Sequence, residues 1–334
     1  MEKIVYKVST GKGNYCIKLK ENGKKVFVKN IFAGIDTELN GYNAIKNIYK
    51  VPQMLYFDYK TNTIEYEYID SLYKSTLHIG LFEDIDFDID KIVDILVSNY
   101  KNYNLMPENL STNSSFFIGR IPFIANYLKS KELSYDKSVV YRGENLGCFK
   151  DIVITIISQL TKNRIVPVAL TQGDPTDLNV SIDGYITDFE MAGKNSIINE
   201  IAIFLGCYIV NCYYFFIKYM NSPHKLYVNT LNKYKNSLEF EYKENDDEIL
   251  TDIHRLLPVN VKHLILKFLD EIQSLGVIDE NFQLGPYVAM RMISPVNIDA
   301  IDQPKDKYLL FTLAGLFAKK YISINDIIDF IKEI

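Results

Sequence analysis

Asp174, Asn179 and Asp188 are the residues of this 334-residue chain whose types and spacing could do chemistry. Asn179 lies five positions after Asp174, and Asp188 nine after Asn179. Between the last two runs the pattern of a short β-hairpin. Val180 and Ile182 alternate with Ser181, Asp183-Gly184 is a dipeptide typical of type I′ turns, and Tyr185-Ile186-Thr187 runs back. A hairpin joins its own ends, so Asn179 and Asp188 should lie side by side, with Asp174 just upstream on a loop. Two carboxylates and an amide oxygen then share one small volume. That set suits phosphoryl transfer from a nucleotide. Mg²⁺ takes hard oxygen ligands, usually one or two carboxylates plus substrate phosphates; Asn179 and Asp188 can supply the protein's share. Asp174 is placed to accept the proton of an attacking hydroxyl. Taken singly, Asp174, Asp177 and Asn179 read equally as turn residues of a polar loop. The hairpin with Asp188 at its far end favours the chemical reading.

The elements that must position these residues begin with a strand-rich region over residues 1–70. Strands are expected at 4–8, 15–20 and 25–30, the first two joined by a glycine-bearing turn and the next two by Asn22-Gly23. Gly11 and Gly13 would let backbone N–H groups approach phosphates, although Gly-x-Gly alone is equally a plain turn. In the third strand Val26 and Val28 face one side, Phe27 and Lys29 the other, which singles out Lys29 over Lys24 and Lys25. Asp36 is the expected N-cap of a helix through Leu39, Tyr42, Ala44, Ile45 and Ile48, with Glu38 in its first turn. Lys29 and Glu38 read either as a pair or as unrelated surface charges. Val51-Pro52 leads to a fourth strand at 55–58, and a fifth follows at 63–70.

From residue 71 the spacing turns helical. Ile89, Ile92, Val93 and Leu96 predict a helix over 84–105; others are expected at 122–133 and 146–160, before a short strand at 165–170 enters the catalytic loop. Residues 201–217 are almost wholly apolar and near the lower length limit of a membrane span. Asn211 interrupts them and Asn199 and Glu200 flank them, so a buried central helix is the better reading. Residues 225–255 are polar, with Glu239, Glu241, Glu244, Asp246, Asp247 and Glu248 close together, and read as a solvated face, a flexible loop or an acidic lid. Helices at 259–275, 282–292, 308–319 and 325–334 complete the chain.

Composition bounds the class. The chain is 48% hydrophobic and 24% charged, as in globular proteins. A net charge of −5 argues against nucleic acid as the main partner. The four cysteines lack metal-ligand spacing, and Cys207 and Cys212, in the apolar run, read as reduced core residues. Met1-Glu2-Lys3 does not open a signal peptide, so the cytoplasm is the expected setting.

The run Gln172-Gly173-Asp174 to Asn179, followed by Asp188-Phe189-Glu190, resembles the aminoglycoside phosphotransferase and choline kinase superfamily. There the loop typically reads His-Gly-Asp-x-x-x-x-Asn and the metal motif Asp-Trp/Phe-Glu. Gln172 stands where that family usually has His. The resemblance spans roughly residues 5–215. It implies an α+β, two-lobed, protein-kinase-like fold, with a β-rich nucleotide-binding N-lobe over 1–70 and a mainly helical C-lobe over 71–334. It also implies roles: Asp174 as catalytic base, Asn179 and Asp188 as metal ligands, Lys29 on phosphates and paired with Glu38, and Gly11 and Gly13 beside the phosphates. Backbone groups of Glu67, Tyr68 and Ile69 would meet the adenine, and Gln172, Glu190 and Glu200 would support the loop, Glu200 where the family usually places an Asp. The implied co-substrates are ATP or GTP with Mg²⁺. The implied acceptor is a hydroxyl of a small, aminated, cationic molecule, first among them an aminoglycoside-like antibiotic. Asp188 to Asn195, reading Asp-Phe-Glu-x-Ala-Gly-x-Asn, is similar to choline and ethanolamine kinases. A choline-like acceptor would want an aromatic cage; the chain has no Trp but 25 Tyr and 19 Phe. An alternative of another class is a nucleotide-binding regulatory protein that has lost catalysis, for which Gln172 is the only support.

Overall fold

The computed structural model describes the chain apart from residues 1–2, 11–12, 32–33, 84, 211–218, 220–224 and 235–237. The alternating N-terminal segments form an antiparallel sheet of β1 (Lys3–Thr10), β2 (Gly13–Leu19), β3 (Lys25–Ile31), β4 (Met54–Asp58) and β5 (Thr63–Glu67), in the order β1-β2-β3-β5-β4. The alternation in β3 works as expected. Val26 and Val28 bury with Cys16 on the outer face, and Lys29 reaches the helix α1 (Ile35–Ile45) on the other. Leu39, Tyr42 and Ile45 of α1 pack on Ile64 and Tyr66 of β5. The same cluster takes in Ile186, Phe189 and Ala192 from the larger lobe, so α1 is wedged between the sheet and the segment after Asp188. Gly41 makes the wedge close: a Cβ there would stand 1.9 Å from the Phe189 carbonyl oxygen.

The larger lobe is mainly helical: α2 (Leu77–Phe82), α3 (Ile89–Val97), α4 (Phe149–Leu160), α5 (Ile197–Val210), α6 (Lys225–Tyr234), α7 (Val259–Leu275), α8 (Gly285–Ile293), α9 (Pro304–Gly315) and α10 (Ile324–Glu333). Every residue of α5 is buried, as its apolar run demands. Among the described residues no helix is long and apolar enough to cross a membrane. Two small sheets accompany the helices. One orders β10 (Gly193–Ser196), β9 (Ile165–Thr171) and β6 (Asn104–Pro107); the other orders β11 (Glu239–Glu244), β12 (Glu248–Arg255), β7 (Ser138–Tyr141) and β8 (Glu144–Cys148).

Of the readings for 225–255, the flexible loop gives way to α6 and to the hairpin of β11 and β12, while the solvated face stands. Phe240, Ile249 and Ile253 point inward while Glu239 and Glu241 stay exposed, so the acidic run is the solvated side of a hairpin. The helix expected at 84–105 is shorter. Asp88 caps α3 by accepting from the Lys91 N–H at 3.0 Å, and residues 104–107 pair with β9 instead. The segment 122–133 makes only the short helix Ile121–Ala125 and a 3₁₀ turn, and α4 starts at Phe149 because 144–148 pair with β7. Cys16 and Cys207 are buried, as expected of core residues; Cys212 lies outside the described residues.

Candidate active site

The hairpin closes as its pattern requires, with a different turn. The Thr187 N–H donates to the Asn179 carbonyl at 2.9 Å, and Val180 bridges Ile186. A type I′ turn needs positive φ at two successive residues, but here only Gly184 has it, at 85°. Gly184 N–H donates to the Ser181 carbonyl, which centres the turn on Ile182-Asp183 and leaves the glycine as the left-handed residue after it. The outcome for the ends is the same: Asn179 and Asp188 are neighbours.

Asp188 itself has φ 59° and ψ 81°. A non-glycine residue there costs on the order of 1–3 kcal/mol and persists only where its surroundings hold it. Gln172 does the holding. Its Nε2 donates to the carbonyls of Thr187 (3.1 Å) and Asp188 (2.9 Å), while its Oε1 accepts the Asp174 N–H at 2.7 Å. One amide side chain thus joins the backbones of Asp174 and Asp188, using both faces that a Gln possesses.

Glu200 braces the same loop from α5. It accepts the Gly173 N–H at 2.5 Å and the Tyr100 hydroxyl at 2.6 Å. Burial pushes its carboxyl up to about 7 against these hydrogen bonds. Gly173, at φ 85°, passes so near Met191 that a Cβ would lie 2.1 Å from that residue's carbonyl oxygen. Asn195 donates to the Met191 carbonyl at 2.9 Å and completes the crossing.

Lys29 crosses the gap between the lobes. Its Nζ lies 2.8 Å from Glu38, 2.6 Å from Asp188 and 3.8 Å from Glu190. Burial would lower this ammonium, but Asp188 and then Glu38 outweigh it and hold the pKa above its ordinary value. Glu38 is 1% exposed, and burial pushes its carboxyl up against the pull of Lys29. Its other oxygen accepts the Tyr66 hydroxyl at 3.1 Å.

The donor set fits a hard divalent cation. Glu38, Asp188 and Glu190 each offer an oxygen within 4.8 Å of the others. The Asp188 side chain is 45% exposed and so open to a ligand. Asn179 spends its NH₂ on Asp174, at 3.0 Å to the carbonyl and 3.4 Å to Oδ2. No hydrogen bond among the described residues uses its amide oxygen, which is the atom a cation would take.

A lysine–glutamate pair reaching from a small antiparallel sheet, the loop of Asp174 and the hairpin that ends at Asp188 meet between two unequal lobes. The fold is protein-kinase-like. No family model matches the chain, and no curated protein matches it in sequence. Solved kinase-like structures do match in shape. A choline kinase from Streptococcus pneumoniae is 12% identical with a TM-score of 0.43, covering 95% of each chain. An ethanolamine kinase from Plasmodium vivax is 13% identical with a TM-score of 0.43, covering 95% of this chain and 80% of that one. An aminoglycoside phosphotransferase from Alicyclobacillus acidocaldarius is 10% identical with a TM-score of 0.43, covering 99% and 93%. Similarity this remote assigns neither substrate nor residue roles to this chain.

Other expected residues are placed less tellingly. Gly13 pairs in β2 with Thr10 and Ile31; Gly11 lies outside the described residues. At the expected hinge, the Glu67 N–H donates to the Gln53 carbonyl at 2.8 Å and the Ile69 carbonyl accepts from Leu72 at 3.2 Å. The Tyr68 hydroxyl donates to Asp70 at 2.9 Å. Two surface hollows, of about 640 and 530 Å³, are lined by none of the expected site residues.

Three features escaped sequence reasoning. Asp177, wholly buried, pairs with His78 Nδ1 at 2.7 Å and accepts the Tyr227 hydroxyl at 2.5 Å, tying the loop to α2 and α6. Gly41 sets the approach of α1. Arg291 of α8 places Nη2 3.6 Å from Asp174 Oδ1. Asp177 could have been suspected from its place in the motif; the other two depend on packing between distant segments, which carries no local signal.

Proposed function

We propose that the chain transfers the γ-phosphoryl group of ATP or GTP to a hydroxyl of a small molecule. The observation that carries this is Lys29 reaching from the sheet to Asp188, on the hairpin that also brings up Asn179 and, through it, Asp174. Lys29 would grip the phosphates, held in place by Glu38. Asp188 and Asn179 would hold Mg²⁺, with Glu190 beside them. The ion, when bound, would neutralise charge on the phosphates. Asp174 would accept the hydroxyl proton, its backbone fixed by Gln172 and its carboxylate steadied by Asn179. Gly11 and Gly13 near the phosphates, the 67–69 backbone at the base, and a lobe boundary near residue 70 belong to the same reading. So does an aminated acceptor, aminoglycoside-like or choline-like, which rests on the sequence resemblance. Gln172, the sole support for a catalytically silent protein, is occupied in bracing the loop, which favours an active enzyme.

The test is transfer of labelled γ-phosphate to a panel of small alcohols, with ATP and GTP, by the wild type and Asp174→Asn. Removing a general base costs about 10²–10⁴ in rate, so the variant should lose turnover on that scale and still bind nucleotide. Near-normal turnover would remove Asp174 from its role.

A further inference from the structure

We propose that Arg291 makes this site select an acceptor carrying an oxyanion, a carboxylate or phosphate, beside the hydroxyl that is phosphorylated. This rests on the phosphotransfer reading and revises its purely cationic acceptor. The Arg291 side chain is 16% exposed and that of Asp174 22%. The guanidinium stands 3.6 Å from Asp174 Oδ1, an ion-pair distance beyond a hydrogen bond. Its carbon lies 5.1 Å from the centre of the Phe116 ring. The stem is seated against α5 at Gly206, where a Cβ would come within 2.6 Å of Arg291 Cγ and 2.9 Å of its Cβ. The packed stem and the Phe116 ring thus place the charge beside Asp174.

Among the described residues, none takes a hydrogen bond from this guanidinium. Five N–H donors in a largely buried fork are ordinarily spent on acceptors. Those of Arg291 have the geometry that matches a carboxylate or phosphate two oxygens at a time. An ammonium group on the acceptor would instead meet a like charge at the carboxylate meant to activate its hydroxyl. A zwitterionic acceptor remains compatible, with its oxyanion turned toward Arg291.

The experiment compares kcat/KM for matched alcohols that differ in charge: glycerate, glycerol 3-phosphate, glycerol and 3-amino-1,2-propanediol, then gluconate, glucose and glucosamine. Wild-type protein, Arg291→Gln and Arg291→Lys are used with saturating Mg²⁺–ATP, and nucleotide affinity verifies that each variant is folded. The wild type should prefer the anionic members. Arg291→Gln should cut the anionic-to-cationic ratio by about 10- to 100-fold, the range for losing a hydrogen bond to a charged group. Arg291→Lys should restore part of it. A wild type that prefers the amines overturns the inference, as does a variant that lowers all acceptors equally. Transfer to none of them by a protein that binds Mg²⁺–ATP would count against the phosphotransfer reading itself.

Discussion

Gly41→Ala separates an ordinary helix glycine from one that sets the distance between the lobes. In a helix interior, alanine is favoured over glycine by about 1 kcal/mol, so at an open position the variant would be more stable. At Gly41 the new Cβ would stand 1.9 Å from the Phe189 carbonyl oxygen, 3.0 Å from its carbon and 3.2 Å from Ala192 Cβ. Ordinary contact requires the two segments to part by about 1.5 Å. Neither side yields cheaply: the obstacle is backbone, and Phe189 is buried against Tyr42 at 5.2 Å between ring centres. Overpacking of this kind costs about 1–3 kcal/mol. The net expectation is destabilisation by on the order of 1 kcal/mol rather than a gain. The functional effect should be larger. Glu38 lies one turn before Gly41, and Asp188 and Glu190 flank Phe189, so parting them stretches the 2.8 Å and 2.6 Å contacts of Lys29. A misplacement of about 1 Å at such a site can cost about 10²-fold in rate, and the affinity for Mg²⁺–nucleotide should fall with the stretched contacts. Urea unfolding and the affinity for Mg²⁺–nucleotide, measured by titration calorimetry, read the two effects. A variant more stable than the wild type with unchanged affinity would refute the wedge.

Two other substitutions probe the electrostatics. Lys29→Met leaves buried Glu38 facing Asp188 and Glu190 without a cation. Breaking a buried pair costs about 3–5 kcal/mol, and the exposure of Asp188 puts the expectation at the low end; Glu38, already raised by burial, loses the Lys29 charge that pulls it down, so the deficit in urea should shrink from pH 7 to pH 5, and a small, pH-independent deficit would contradict it. For Glu200→Gln, the native carboxyl is raised from 4.5 to about 7 by burial, so the folded state holds a proton that the unfolded state releases. Its stabilisation is complete below about pH 4.5 and lost as pH rises through 7, by on the order of 3 kcal/mol; the wild type should lose more urea stability than the Gln variant between pH 5 and 8, and equal slopes would contradict this.

What could be read from the sequence was local. The period of two in β3 chose Lys29 among neighbouring lysines, and the hairpin pattern put Asn179 next to Asp188 even though the turn type differed. The helix at 259–275 was legible because its apolar stripe is long. The hairpin at 239–255 was obscured by its charges, although Phe240, Ile249 and Ile253 keep the strand alternation. Residues 104–107 form a strand only because β9 offers an edge, and a four-residue strand has too few positions to show a period. Arg291 beside Asp174 and Gly41 beneath Phe189 depend on how far-separated helices settle, which spacing along the chain does not encode. Gln172 shows a departure from a motif explained by geometry: its amide serves two backbones at once.

The central claim is that Asp188, presented to Lys29 across the lobes, holds the metal of a bound nucleotide. Calorimetric titration of Mg²⁺–ATP and Mg²⁺–GTP into the wild type and Asp188→Ala tests it most directly. The account predicts Mg²⁺-dependent binding of at least one of the two nucleotides by the wild type, and a marked loss of that affinity in the variant. Equal affinities in the two proteins, or binding indifferent to Mg²⁺, would contradict it.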